Sequence, residues 1–153
     1  MTAKHVNAKD EALASAARGV LVLGAGRHAA EVIDALVAGG VRVHGCLDSH
    51  VPAKTEIYPG VTVVGSDRDL SSMVADGFAT VYLGIGGLGN LDVRIRFFQM
   101  LEGLGAAAPP LVHPAAHVAP TVELGAGTTV LARASIGPLT RIGRNCIITQ
   151  NAV

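Results

Sequence analysis

VHPAAHVAPTVELGAGTTVLARASIGPLTRIGRNCIITQNAV, residues 112–153, is the stretch that decides how this chain folds. Every sixth residue gives Val112, Val118, Leu124, Val130, Ile136, Ile142 and Ile148, all branched aliphatics. Four places after each stand Ala116, Val122, Thr128, Ala134, Thr140, Cys146 and Ala152, all small or medium-sized. Neither the period of a helix nor that of a simple strand accommodates both registers. A fixed step of six marks a parallel β-helix, with one short strand and one turn per hexad. The aliphatic points inward and the small residue lets the chain turn the corner. Gly125, Gly127, Gly137 and Gly143 fall in the turns, where positive φ or close backbone approach suits glycine.

Outward from this stretch, composition narrows the rest. Hydrophobic residues make up 50% and aromatics only 3%, so the core must be built from Ala, Val, Leu and Ile, which fits parallel strands covered by helices. Lys+Arg and Asp+Glu both number 12, and this balance points away from nucleic acid or an anionic membrane as partner. No run is long and apolar enough to span a bilayer. Cys46 and Cys146, far apart and without a secretory leader, read as reduced, buried small residues of a cytoplasmic protein. Residues 1–18 form a polar, alanine-rich start that is expected to be loose, with a frayed helix over Asp10–Ala17 at most.

Between these ends lies a βαβ pattern. Val20–Leu23 is an apolar strand that runs into Gly24-Ala25-Gly26-Arg27-His28-Ala29. A helix over Ala30–Val37 follows, with Val32, Ile33 and Leu36 inward and Gly39-Gly40 as its stop. A second strand, Val41–Leu47, ends at Asp48. The glycines allow a tight turn and let a phosphate approach free N–H groups at the helix start. The polar stretch Ser49–Gly60 reads as a loop and Val61–Gly65 as a third strand or edge piece. Ser66 caps a short helix that ends near Ala75. Thr80–Gly86 is another buried strand, with a glycine-rich loop at 86–90. The helix from about Asn90 to Leu104 turns Val93, Phe97, Leu101 and Leu104 to one face. The division into units falls at 19–108 and 109–153.

LGAGRHAAEVIDAL (23–36), Leu47-Asp48, VVGSDRDL (63–70), GIGGLGNLDVRIRFF (84–98) and LVHPAAHVAP (111–120) occur in this order. In combination the chain resembles the bacterial hexapeptide-repeat sugar acetyltransferases that act on sialic acid or UDP-4-amino-sugars. The resemblance implies an α/β + β fold, a Rossmann-like domain followed by a left-handed β-helix. It also implies acetyl-CoA as acetyl donor, a nucleotide-sugar or sugar substrate, and a homotrimer that binds acetyl-CoA between neighbouring β-helices. The implied product is an N- or O-acetylated sugar for bacterial surface glycans. Gly24, Gly26 and His28 match the phosphate loop, and Asp48 the acidic strand end facing the uridine portion. Gly84, Ile85 and Gly86 match the later loop, and Arg94 a basic residue of the following helix. Arg27 replaces a residue that is often small; its cation either meets a diphosphate or points into solvent.

In the family the general base is a histidine one or two hexad positions beyond a segment like Ile148–Val153, and the family often has Asn where Thr149 stands. The chain stops before that histidine, so no catalytic residue is assigned within it, and it reads as truncated and poorly active alone. His113 and His117 read as turn residues, and Arg133, Arg141 and Arg144 as solvated turn residues, with CoA phosphates as the alternative partners of the three arginines. No metal-ligand cluster is visible. Two other classes stay open: an NAD(P)-dependent oxidoreductase, on the glycine loop and Asp48, and a non-catalytic nucleotide-sugar-binding or assembly module.

Overall fold

The computed structural model describes residues 17–87 and 91–153. The expectations for the start of the chain before Ala17, and for Leu88 to Asn90, lie outside them.

Strands β1 (Val20–Leu23), β2 (Val43–Leu47), β3 (Glu56–Tyr58), β4 (Val61–Gly65) and β5 (Val81–Leu83) form one sheet in the order β3-β4-β2-β1-β5. The pairs β4–β2, β2–β1 and β1–β5 are parallel; β3 is an antiparallel edge on β4. Both faces are covered, which is why β1 can be apolar throughout. Helix α1 (Arg27–Ala38) packs Ala29, Val32, Ile33 and Leu36 with Val22 and Cys46 on one face. On the other, Leu21, Leu23, Leu47 and Val81 meet Leu70 of α2 (Leu70–Ala75) and Phe97, Phe98 and Leu101 of α3 (Asp92–Gly103). Alternate residues of one strand thus serve two cores.

Three expectations need correction. The loop over 49–60 contains β3; Glu56 and the half-buried Ile57 and Tyr58 have no inward run, because an edge strand is wetted on one side. Helix α1 begins at Arg27, three residues early. On α3, Val93 faces outward at 40% exposure, and the buried stripe is Arg94, Phe97, Phe98 and Leu101.

From Leu111 the chain makes two-residue strands at intervals of six. They are β6 (Leu111–Val112), β7 (His117–Val118), β8 (Glu123–Leu124), β9 (Thr129–Val130), β10 (Ser135–Ile136), β11 (Arg141–Ile142) and β12 (Ile147–Ile148). Each pairs in parallel with the strand three hexads away: Leu111 with Thr129, Thr129 with Ile147, His117 with Ser135, Glu123 with Arg141. The result is three narrow sheets around one interior, where Val118, Leu124, Val130, Ile136, Ile142 and Ile148 meet Ala116, Val122, Ala134 and Ala152. Val112 stays outside this cluster at 37% exposure, while its neighbour Leu111 joins the core under α1.

The corners have their own period. Gly127, Arg133, Leu139, Asn145 and Asn151 all have φ between 58° and 73°, the left-handed region. Only Gly127 of the four turn glycines does so. Gly125 is required for a different reason: a Cβ there would lie 2.6 Å from the backbone of Gly143 in the next coil. Gly137 and Gly143 meet neither constraint.

Candidate binding cleft

The sheet order reverses between β1 and β5, and the loops leaving their carboxyl ends diverge there, the usual place for a ligand in an open α/β sheet. Gly24 follows β1 with φ 98°, and a Cβ on it would lie 2.9 Å from the Gly84 carbonyl oxygen of the loop after β5. A Cβ on Gly84 would in turn stand 2.8 Å from that of Ala29. The two glycines let the two loops and α1 touch. Gly26 caps α1 without a side-chain hydrogen bond, so the first-turn N–H groups are left for another acceptor.

Asp48, at the end of β2, holds this loop in shape. Its Oδ2 accepts from the Ala25 N–H at 2.9 Å, and its Oδ1 from His50 and Val51 N–H at 2.7 and 3.1 Å. His28 leans on α1: its Nδ1 is 3.2 Å from Glu31 Oε2, which suits a proton on Nδ1. Burial pushes the His28 pKa below 6.5, against the opposing pull of Glu31, so the ring is neutral at pH 7. Its Nε2 is buried with no partner among the described residues.

These groups line a cleft of about 1520 Å³. Gly24, Gly26, Arg27, His28, Asp48, Gly84, Ile85 and Gly86 are all brought together there. Arg27 stands at the rim with a 93% exposed side chain, 3.7 Å from Glu31, where it faces both solvent and the cleft. Arg94 departs from expectation. It is fully buried, does not line the cleft, and donates to the carbonyls of Leu83, Ile85 and Gly127 at 3.2, 2.7 and 2.8 Å. Burial lowers its pKa to about 10, which leaves it charged at pH 7.

The opposite wall was not read from the sequence. It is made by α3, through Leu91, Ile95 and Phe98, and by the coil segment 144–150. Arg144 keeps a 58% exposed side chain, as expected of a solvated turn residue, and also lies 5.0 Å from the Phe98 ring and pairs with Glu102. Cys146, expected to be buried, is half-exposed on this wall, whereas Cys46 is buried and its thiol is pushed up to about 11. The Asn145 Oδ1 is likewise buried with no partner among the described residues. No pattern in residues 144–150 announces a binding wall, since they hold corner and ladder positions like any other hexad.

A smaller cleft of about 350 Å³ adjoins the first and shares Arg27, Glu31, Leu131 and Gln150 with it. There Asp34 accepts from Tyr58 Oη at 2.9 Å and faces His113 Nε2 at 3.2 Å, while His113 Nδ1 takes the Ala115 N–H. His113 is thus a turn residue with its ring fully engaged.

Residues 19–101 match the model of the PglD N-terminal domain. The chain belongs to this family. Among solved structures it is similar to a His-to-Asn variant of perosamine N-acetyltransferase from Caulobacter crescentus in complex with CoA and GDP-perosamine. The two share 32% identity with a TM-score of 0.78, over 87% of this chain and 60% of that one. It is also similar to the acetyltransferase domain of PglB from Neisseria gonorrhoeae in complex with acetyl coenzyme A. Here identity is 25% and the TM-score 0.77, over 88% of this chain and 62% of that one. No curated protein matches. The chain therefore spans about 60% of the length of the structures it resembles, and the resemblance to sugar acetyltransferases holds.

Proposed function

We propose that this chain is the nucleotide-sugar-binding unit and first coils of an acetyl-CoA-dependent sugar acetyltransferase. The observation that carries the reading is the large cleft between the glycine loops and the coils, with a buried polar atom on each wall that has no partner among the described residues. The uncapped start of α1 and the left-handed Gly24 suit a diphosphate, and Gly26, which has open space where a Cβ would stand, lets it come close. His28 Nε2 and the Asp48 carboxylate lie beside it, with Ile85 and Gly86 below. The similar C. crescentus enzyme, crystallised with GDP-perosamine, supports a nucleotide-sugar, with guanosine and uridine both to be tried. The similar complexes with CoA and acetyl coenzyme A support acetyl-CoA as donor.

In this reading a sugar amine, or in the O-acetylating variant a hydroxyl, attacks the thioester carbonyl. A C–N or C–O bond forms, the C–S bond breaks, CoA leaves as the thiol, and a base removes the proton of the nucleophile. We assign none of the residues in this chain to that base. The units divide near residue 108, and the coils are the opening of a left-handed β-helix of hexapeptide repeats. Pairing at three-hexad intervals and a left-handed residue at each sixth position support that reading. A homotrimer in the bacterial cytoplasm, serving surface-glycan synthesis, completes it; among the described residues no helix is long and apolar enough to cross a membrane.

Thermal unfolding with added ligand tests the proposal. A GDP- or UDP-sugar at 100-fold excess over Kd should stabilise the chain by about 2.7 kcal/mol, and NADH should not. Stabilisation by NADH alone would replace this reading with the oxidoreductase one.

A further inference from the structure

A fully buried guanidinium needs a reason, because burying a charge is costly unless its donors are met. The reason for Arg94 lies in where its donors go. Nη1 reaches Leu83, the last residue of β5, and Ile85, in the loop that floors the cleft. Nη2 reaches Gly127, and Nε approaches the Asn145 carbonyl at 3.5 Å. Gly127 and Asn145 occupy equivalent corners of successive coils, both left-handed, and the Asn145 N–H is bonded to the Ala126 carbonyl at 2.8 Å. One planar fork therefore holds the loop wall and the coil wall together. A lysine, with a single nitrogen, cannot span both sets of carbonyls.

We propose that Arg94 is a positioning residue that sets the separation of the two cleft walls, and that it does not touch the ligand. The inference rests on the nucleotide-sugar reading and adds to it that the nucleotide lies on the loop wall while the sugar meets the coil wall. It replaces the direct substrate contact that the family resemblance implies for Arg94. Loss of the tie should act on ligands that span both walls and spare those that use one.

Calorimetry on wild type, Arg94→Lys and Arg94→Gln with a nucleotide-sugar and its parent nucleoside diphosphate measures this. The variants should lose at least tenfold in affinity for the nucleotide-sugar and under threefold for the diphosphate. Equal losses for both ligands, or none, would overturn the proposal. Hydrogen exchange without ligand provides a second arm. In Arg94→Lys the amides of Gly84, Gly127 and Asn145 should exchange faster together, while those of β1 and α1 keep their protection. Unchanged exchange at either wall would also overturn it. If wild type binds no nucleotide-sugar, the functional reading fails and the exchange arm still decides the tie. Should the variants not fold, the guanidinium NMR signals of wild-type Arg94 decide instead. They should be protected and unmoved by the diphosphate; a shift on its addition would make Arg94 a ligand contact.

Discussion

The sheet half and the coil half bury the same kinds of residue by different means. Around β1 the cover comes from other elements: α1 on one face, α2 and α3 on the other, so that Leu21, Val22 and Leu23 are all fully buried. In the coils the cover is another turn of the same chain. Val130, with β6 on one side and β12 on the other, is fully buried, whereas Ile142 and Ile148 are half-buried. Layered packing closes a core within one unit. Stacking closes it only between neighbours, so burial depends on position in the stack.

That contrast is easiest to break by truncating a side chain in each half. Leu21→Ala should lower the unfolding free energy by about 2–5 kcal/mol, the range for a filled core site, while Ile148→Ala should cost about half as much. Denaturant titration of both variants measures the difference, and equal costs would show that the coil interior is as closed as the sheet core.

The glycine loop sharpens the contrast from the ligand side. Gly24→Ala places a Cβ against the Gly84 carbonyl at a positive φ, with a strain of about 1–2 kcal/mol or more. Nucleotide-sugar affinity should fall at least tenfold by calorimetry, whereas Gly137→Ala, in open space on a coil corner, should leave it unchanged.

Leu139 tests the corners themselves. It is 81% exposed and holds φ 62°, an unfavourable conformation for a side chain that buries nothing in return. Leu139→Asn should raise stability by about 0.5–1 kcal/mol in the same titration.

The smallest effect is the proton on His28. Its folded pKa lies below the unfolded value of 6.5, so the unfolded chain takes up the proton first. The stability from the neutral ring is complete above pH 6.5 and is lost as pH falls through the folded pKa. His28→Asn should flatten that part of the pH–stability curve by at most one proton, and an unchanged slope would mean the ring is not desolvated.

Much of this was legible because the residues act locally. Apolar runs such as Val20–Leu23, the helix stripe of Val32, Ile33 and Leu36, and the sixfold aliphatics each announce their own geometry. Arg94 shows where local reading fails. Hydropathy turns it outward and Val93 inward, yet four carbonyls from distant segments reverse the two. The strand β3 was missed for a similar reason, since an edge position makes few demands on its side chains. The corners were half-visible: the sixfold series contains Gly127, Asn145 and Asn151, all at ease at positive φ, but Arg133 and Leu139 hide it.

The sequence alone determined the period of the coils, the βαβ order and the glycine loop with Asp48, because each depends on residues close together in the chain. Tertiary structure decided which wall faces that loop. Residues 144–150 become a binding surface only when α3 packs between the sheet and the coils and Arg94 joins Ile85 to Gly127. That arrangement follows from four carbonyls that separate segments of the chain present to one guanidinium, and no stretch of sequence records such a sum.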